Sequence, residues 1–68
     1  MFDVANTFTY HQPKADQPMR YEALREKAKE LAELILATTP ESREQSLALT
    51  HLQETVMFAN AAIAIHEA

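Results

Sequence analysis

The chain has 68 residues, no cysteine and a formal net charge of -4 at pH 7. A chain of this length is expected to form one small domain over residues 1–68, with a marginal core that usually needs a disulfide, a metal or self-association. The lack of cysteine excludes a disulfide and a thiolate metal site. The acidic balance argues against binding to polymeric nucleic acid, which requires an extended basic surface.

The N-terminal stretch and the apolar runs predict neither a targeting segment nor a membrane partner. Residues 1–6 lack the basic start and the apolar run of a signal peptide. The longest apolar run, Ala61–Ile65, is far too short to span a bilayer.

The first half of the chain predicts an extended arm followed by a helix. Residues 7–11 are aromatic and β-branched, which favours an extended backbone, so residues 1–17 are interpreted as an arm. A helix is predicted over about 18–37, with Asp16 or Gln17 as its cap and Pro18 in its first turn. Apolar spacing predicts its inner face: Tyr21, Leu24, Ala28, Leu31, and Leu34 or Ile35.

The second half predicts one longer helix over about 40–66. Thr39 is the expected cap with Pro40 at the first position, and Ser42 with Gln45 is an alternative capping box. Steps of three and four residues define a seam for a partner helix: Leu49, Leu52, Val56, Ala59 and Ile63. Further apolar residues lie largely outside this seam: Leu47, Met57, Phe58, Ala61, Ala62 and Ile65.

The two predicted helices are joined by a short connection, which makes them antiparallel neighbours. The sequence therefore predicts an all-α protein, an antiparallel helical hairpin with an extended N-terminal arm. A helix that is apolar on more than one face must be buried on more than one face. The surplus apolar surface of the second helix thus predicts a compact homo-oligomer.

The residues that usually carry catalysis or bind metals show no recognisable pattern. His11, His51 and His66 share no metal-ligand spacing, so no metal site is expected. The chain has no catalytic triad order, no glycine-rich phosphate loop and no nucleophile elbow. We therefore expect neither an enzyme nor a cofactor.

Aromatic and basic side chains are concentrated on the arm and the first helix. Tyr21, Arg25 and Lys29 are spaced by four and share one helix stripe. Tyr10 lies on the arm, with His11 beside it, and Lys27 lies on the same helix as the stripe. Aromatic rings stack on bases and guanidinium groups bind phosphates, so the set is typical of a nucleotide site. The residues alone favour the alternative, tyrosines at the edge of the core and cations on a solvated face.

Several stretches of the chain resemble one family. They are Phe8–Pro13, Gln17–Pro18, Arg20–Arg25, Ser42–Glu44, Ser46–Thr50 and Val56–Ala64. Together these stretches, from about Phe8 to His66, resemble the phage anti-CBASS helical-hairpin sponges, whose hairpin domain is shared with a phage anti-Thoeris sponge.

The resemblance implies binding without cleavage. Such proteins sequester cyclic oligonucleotide second messengers, including cyclic dinucleotides such as 3′,3′-cyclic GMP-AMP (cGAMP), and so block CBASS effector activation. They act in the cytoplasm of the infected bacterial host and assemble as hexamers. Some members also bind cyclic trinucleotides in separate pockets.

The resemblance also implies roles for individual residues. Tyr10 matches the aromatic contact of the family, and His11 beside it either contacts the ligand or anchors the arm. Arg25 is the first match for the basic contact, followed by Lys27 and Lys29. Arg43 is a candidate for a second pocket or for an ion pair with Glu41 or Glu44. A different hypothesis is a hairpin interaction module that binds a host protein through its Met57–Phe58 face.

Overall fold

The computed structural model describes residues 15–67, so the predicted arm, with Tyr10 and His11, lies outside the described residues. The described part contains two helices and no strand: α1 spans Gln17–Thr38 and α2 spans Arg43–His66. The two helices pack against each other as an antiparallel pair. The predicted all-α helical hairpin is confirmed.

The start of α1 is set by Pro18 and by the residues before it. Asp16 occupies the cap position, but its side chain makes no cap hydrogen bond. Its carbonyl accepts from the backbone N–H of Arg20 at 3.1 Å, and its carboxylate forms an ion pair with the Arg20 guanidinium at 3.3 Å. Pro18 lies in the first turn, where its missing N–H would have had no helical partner.

Threonine side chains end α1 in a chain that contains no glycine. The hydroxyls of Thr38 and Thr39 donate to the carbonyls of Leu34 and Ile35, both at 2.7 Å. Thr39 then adopts an extended backbone with φ of -122° and ψ of 148°. The Ile35 carbonyl also accepts from the backbone N–H of Thr39 at 3.0 Å, so each hydroxyl adds a second bond of the kind that threonine makes to the carbonyl four residues earlier.

The second helix begins at Arg43, later than the predicted start at Pro40. The predicted Thr39 cap is wrong, and the alternative cap at Ser42 is present: its hydroxyl accepts from the backbone N–H of Gln45 at 3.1 Å. The Gln45 side chain does not complete the capping box. Its amide donates to the carbonyl and the hydroxyl of Thr39, each at 3.0 Å, and thereby ties the turn together.

The seam between the helices is only half-buried. Among residues 15–67 no apolar side chain is fully buried, and Gln17, with 5% exposure, is the one buried residue. The seam residues predicted on α2 are all of intermediate burial: Leu49, Leu52, Val56, Ala59 and Ile63. On α1, Ile35 is of intermediate burial, whereas Leu34 is 57% exposed and Leu31, predicted on the inner face, is 45% exposed.

Large apolar side chains outside the seam face solvent in the single chain. Leu47, Met57 and Phe58 are 41%, 59% and 71% exposed. A hairpin of two helices has no third layer to cover them, so the surplus apolar surface inferred from the sequence is present. Within the described part of the chain, neither helix is long and apolar enough to cross a membrane.

Candidate functional site

The hairpin has a groove along each of its two long sides. One groove, here called the Arg25 groove, has a volume of about 330 Å³. Its lining comprises Arg25, Ala28, Lys29 and Ala32 of α1 and Leu49, Leu52, Gln53 and Val56 of α2. The other, here called the Lys27 groove, is lined by Leu24, Lys27, Ala28, Leu31, Leu52, Thr55, Val56 and Ala59.

Arg25 and Lys29 are two exposed cations at the rim of the Arg25 groove. They are four residues apart and therefore neighbours on the helix surface, where like charges destabilise each other. The ion pairs found among residues 15–67 engage Arg20, Lys27 and His51 and leave Arg25 and Lys29 without an anionic partner in that range. An anion placed between them would relieve their repulsion.

Tyr21 lies on the same side of the hairpin, one helical turn before Arg25, or about 6 Å along the axis. It is half-buried and lines a depression of about 300 Å³ with Asn60, Ala61 and Ala64 of α2. The structure therefore brings Tyr21, Arg25 and Lys29 together on one side, as their spacing predicts. The small alanine side chains keep the depression open beside the tyrosine ring.

Two polar residues of α2 on this side were not identified from the sequence. Gln53 lines the Arg25 groove, and Asn60 lines the depression beside Tyr21. The Asn60 side-chain oxygen is buried and has no hydrogen-bond partner among the described residues, which is costly unless a donor reaches it. Asn60 is the one polar residue between Val56 and Ile65, a signal that could have marked it.

The other two predicted basic contacts lie elsewhere. Lys27 lines the opposite groove and forms an exposed ion pair with Glu30 at 3.3 Å. Arg43 is the first residue of α2, about 15 Å along the helix axis from Gln53. The alternative ion pair of Arg43 with Glu41 or Glu44 is not formed.

A polar cluster joins the open ends of the two helices. The Arg20 guanidinium donates to both carboxylate oxygens of Glu67, one bond being 3.0 Å long. The Gln17 amide donates to the same carboxylate at 3.3 Å. The bond from Arg20, and then the bond from Gln17, lower the pKa of Glu67 from 4.5 to about 2, and the same contact raises the pKa of Arg20. Arg20 is therefore engaged in closing the hairpin.

We expect Glu67→Gln to lower the melting temperature at pH 7. Because the folded-state pKa of Glu67 is lowered, its stabilising effect is fully present above about pH 4.5 and is lost as the pH falls toward 2. The difference in melting temperature between wild type and Glu67→Gln should therefore shrink across this pH range, as measured by circular dichroism. Glu22→Gln, at an exposed carboxylate without an ion pair in the described range, is the control. A difference that is independent of pH would contradict this role.

Metal ligands do not converge in the described part of the chain, where no group of three or more His, Asp or Glu side chains could hold an ion. His51 instead contacts Glu54, with 2.9 Å between the ring Nδ1 and a carboxylate oxygen. The arrangement as a whole, an apolar groove with cations on its rim and a tyrosine beside it, suits a small organic anion.

A comparison with protein-family models identifies the chain. The model described as "Acb2/Tad1, hairpin domain" matches residues 3–64. The chain belongs to this family. The Acb2/Tad1 hairpin domain is that of phage sponges, non-catalytic proteins that bind cyclic nucleotides and evade bacterial defence, so the resemblance noted in the sequence is confirmed. No curated protein and no solved structure matches the chain significantly.

Proposed function

We propose that this Acb2/Tad1 hairpin protein binds and sequesters cyclic dinucleotides such as cGAMP in the cytoplasm of the infected host, without cleaving them. The CBASS effector would then lack its activating ligand. The observation that carries the proposal is the pair of cations, Arg25 and Lys29, stacked on one groove without an anionic partner in the described range.

The proposed contacts follow from the chemistry of the ligand. Arg25, with its planar fork of donors, and Lys29 would bind phosphate oxygens. Tyr10 of the arm and Tyr21 of α1 would stack on the bases, and His11 would donate to a phosphate or a base. Lys27 lines the other groove and pairs with Glu30, so it is left out of this set. Arg43 is proposed for a second kind of pocket that would take cyclic trinucleotides.

A cyclic dinucleotide has an approximate two-fold axis, which suits a symmetric oligomer. Two protomers related by such an axis would each supply the same tyrosines and cations, so a small local cluster would meet both phosphates. This explains how a chain with a net charge of -4 would hold an anion. The exposed apolar side chains of α2 support a homo-oligomer, for which we propose a hexamer.

The proposal is tested by calorimetry with cGAMP at physiological salt, followed by release of the ligand by heating and chromatography. We expect saturable binding and recovery of intact ligand. Tyr10→Ala should abolish binding and leave the mass of the oligomer in light scattering unchanged, whereas Tyr10→Phe, which keeps the ring for stacking, should retain most of the affinity. Unchanged affinity of Tyr10→Ala would remove Tyr10 from the site, and a cleaved ligand would contradict sequestration.

A second candidate function is a hairpin module that binds a host protein. The exposure of Met57 and Phe58 favours it, because a contiguous apolar surface is typical of a protein interface. Gel filtration with light scattering separates the two proposals. A monomer without heat of cGAMP binding would favour the interaction module.

A further inference from the structure

One side of α2 points away from α1 and combines apolar and titratable side chains. This back face consists of Leu47, His51, Glu54 and Phe58, at helical spacings of four, three and four residues. Leu47 and Phe58 are 41% and 71% exposed, and the His51 and Glu54 side chains are 72% and 49% exposed. The groove residues Leu49, Leu52 and Val56 occupy the side of the helix that faces α1.

The spacing of the back face is the same when it is followed in either direction. Leu47 and Phe58 lie equally far from the level of residues 52 and 53, and so do His51 and Glu54. A two-fold axis at that level would place Leu47 opposite the Phe58 position of a second copy and His51 opposite the Glu54 position. Contacts across a two-fold axis must be reciprocal in this way, with residue i against j and j against i.

We propose that the back faces of two α2 helices pack antiparallel about this axis and form an interface between copies of the chain. The inference rests on the homo-oligomer of the proposed function and gives it a specific contact. The two apolar ends of the face bury each other, and the polar centre pairs opposite charges when the imidazole is protonated. Ala62, an exposed small residue one turn beyond Phe58, leaves room for the first turn of the second copy.

The charges of the back face favour another copy of this face as the partner and antiparallel over parallel packing. In a parallel arrangement, the two His51 side chains would face each other, and so would the two Glu54 side chains. Two carboxylates placed opposite each other at an interface weaken association, on the order of a hundredfold or more, so the Glu54 pair disfavours the parallel arrangement. Within each helix, His51 already contacts Glu54 through Nδ1, which leaves Nε2 without a partner among the described residues. Protonated histidine donates from both nitrogens and would therefore join the two carboxylates.

The test uses two full-length variants, His51→Glu and Glu54→Lys. In antiparallel pairs of His51→Glu chains, the introduced carboxylate faces Glu54 of the other copy. In pairs of Glu54→Lys chains, the introduced ammonium faces His51. An equimolar mixture of the two variants places opposite charges together at both positions. Each variant alone should therefore self-associate at least about tenfold more weakly than wild type in sedimentation velocity. In His51→Glu, two carboxylates oppose each other at both positions, and in Glu54→Lys, the carboxylate that would contact His51 is lost at both positions.

The mixture should recover self-association to within about threefold of wild type, because both charge pairs are then restored. Native mass spectrometry should show complexes that contain both variants. Circular dichroism checks that each variant remains helical. Helical variants that assemble as wild type does, or a mixture that does not recover, would overturn the interface, as would a wild-type chain that stays monomeric.

Calorimetry with cGAMP on the same samples separates this inference from the proposed function. A mixture that fails to recover while wild type binds the ligand overturns only the antiparallel interface. Recovery of self-association in a protein that does not bind cGAMP overturns only the proposed ligand.

Discussion

Arg25→Gln is expected to weaken cGAMP binding by about 100-fold or more. Each charge-assisted hydrogen bond to a phosphate contributes about 1.5–3 kcal/mol, and a two-fold symmetric pocket loses two of them at once. The same substitution removes the repulsion between Arg25 and Lys29, so the ligand-free protein should become slightly more stable, by about 0.2–0.5 kcal/mol. Calorimetry measures the first effect, and thermal unfolding without ligand measures the second.

Lys27→Gln is the matched control, because it removes the same charge from the opposite groove. We expect it to change cGAMP affinity less than about threefold, since the exposed Lys27–Glu30 pair contributes little. Equal losses of cGAMP affinity from the two substitutions would show that the net electrostatic field of the protein, and not a contact at Arg25, holds the ligand. A larger loss from Lys27→Gln would place the dinucleotide in the Lys27 groove.

Phe58→Asp is expected to dissociate the assembly while the hairpin itself stays folded. In the single chain, the Phe58 side chain is 71% exposed, so a polar residue there removes little packing within the hairpin. In an assembly that buries this position, an unpaired carboxylate costs several kcal/mol, on the order of a hundredfold or more in association. Sedimentation should show a mass near the 7.7 kDa of one chain, and circular dichroism should retain the helical signal.

Met19→Asp provides a control with almost the same exposure, 73%, on a different helix. It introduces the same carboxylate in place of an apolar side chain but lies in the first turn of α1, away from the back face. Its mass in sedimentation should equal that of wild type. If both substitutions dissociate the assembly, the added charge acts without regard to its position. If neither does, the exposed apolar surface of α2 has no role in self-association.

Helical periodicity was sufficient to predict the hairpin and its seam, because a short, half-buried pair of helices is governed by local spacing. It placed Val56 at the seam, where it is half-buried, and left Leu34 or Ile35 open on α1, of which Ile35 is the half-buried one. It failed at the start of α2, where Ser42 competes with Thr39 for the cap. The Gln45 side chain decides that competition by binding Thr39 across the turn, a contact that no single-residue preference reveals.

The candidate site was predictable where it lies on one helix and not where it spans two. The spacing of Tyr21, Arg25 and Lys29 fixes their common side. Lys27 was grouped with them by proximity in sequence, although a helix turns by about 200° over two residues and places it in the other groove. Asn60 could not be assigned to Tyr21, because the match depends on how far α1 is shifted along α2.

The absence of a fully buried apolar side chain between residues 15 and 67 has a consequence for dosage. If the back faces associate as proposed, part of the free energy of folding is supplied by association, and stability follows mass action. Dilution then unfolds a larger fraction of the hairpins as well as dissociating the assembly. The amount of second messenger that the protein can bind would therefore rise faster than in proportion to the number of protein copies. A host cell that contains few copies would bind almost no second messenger.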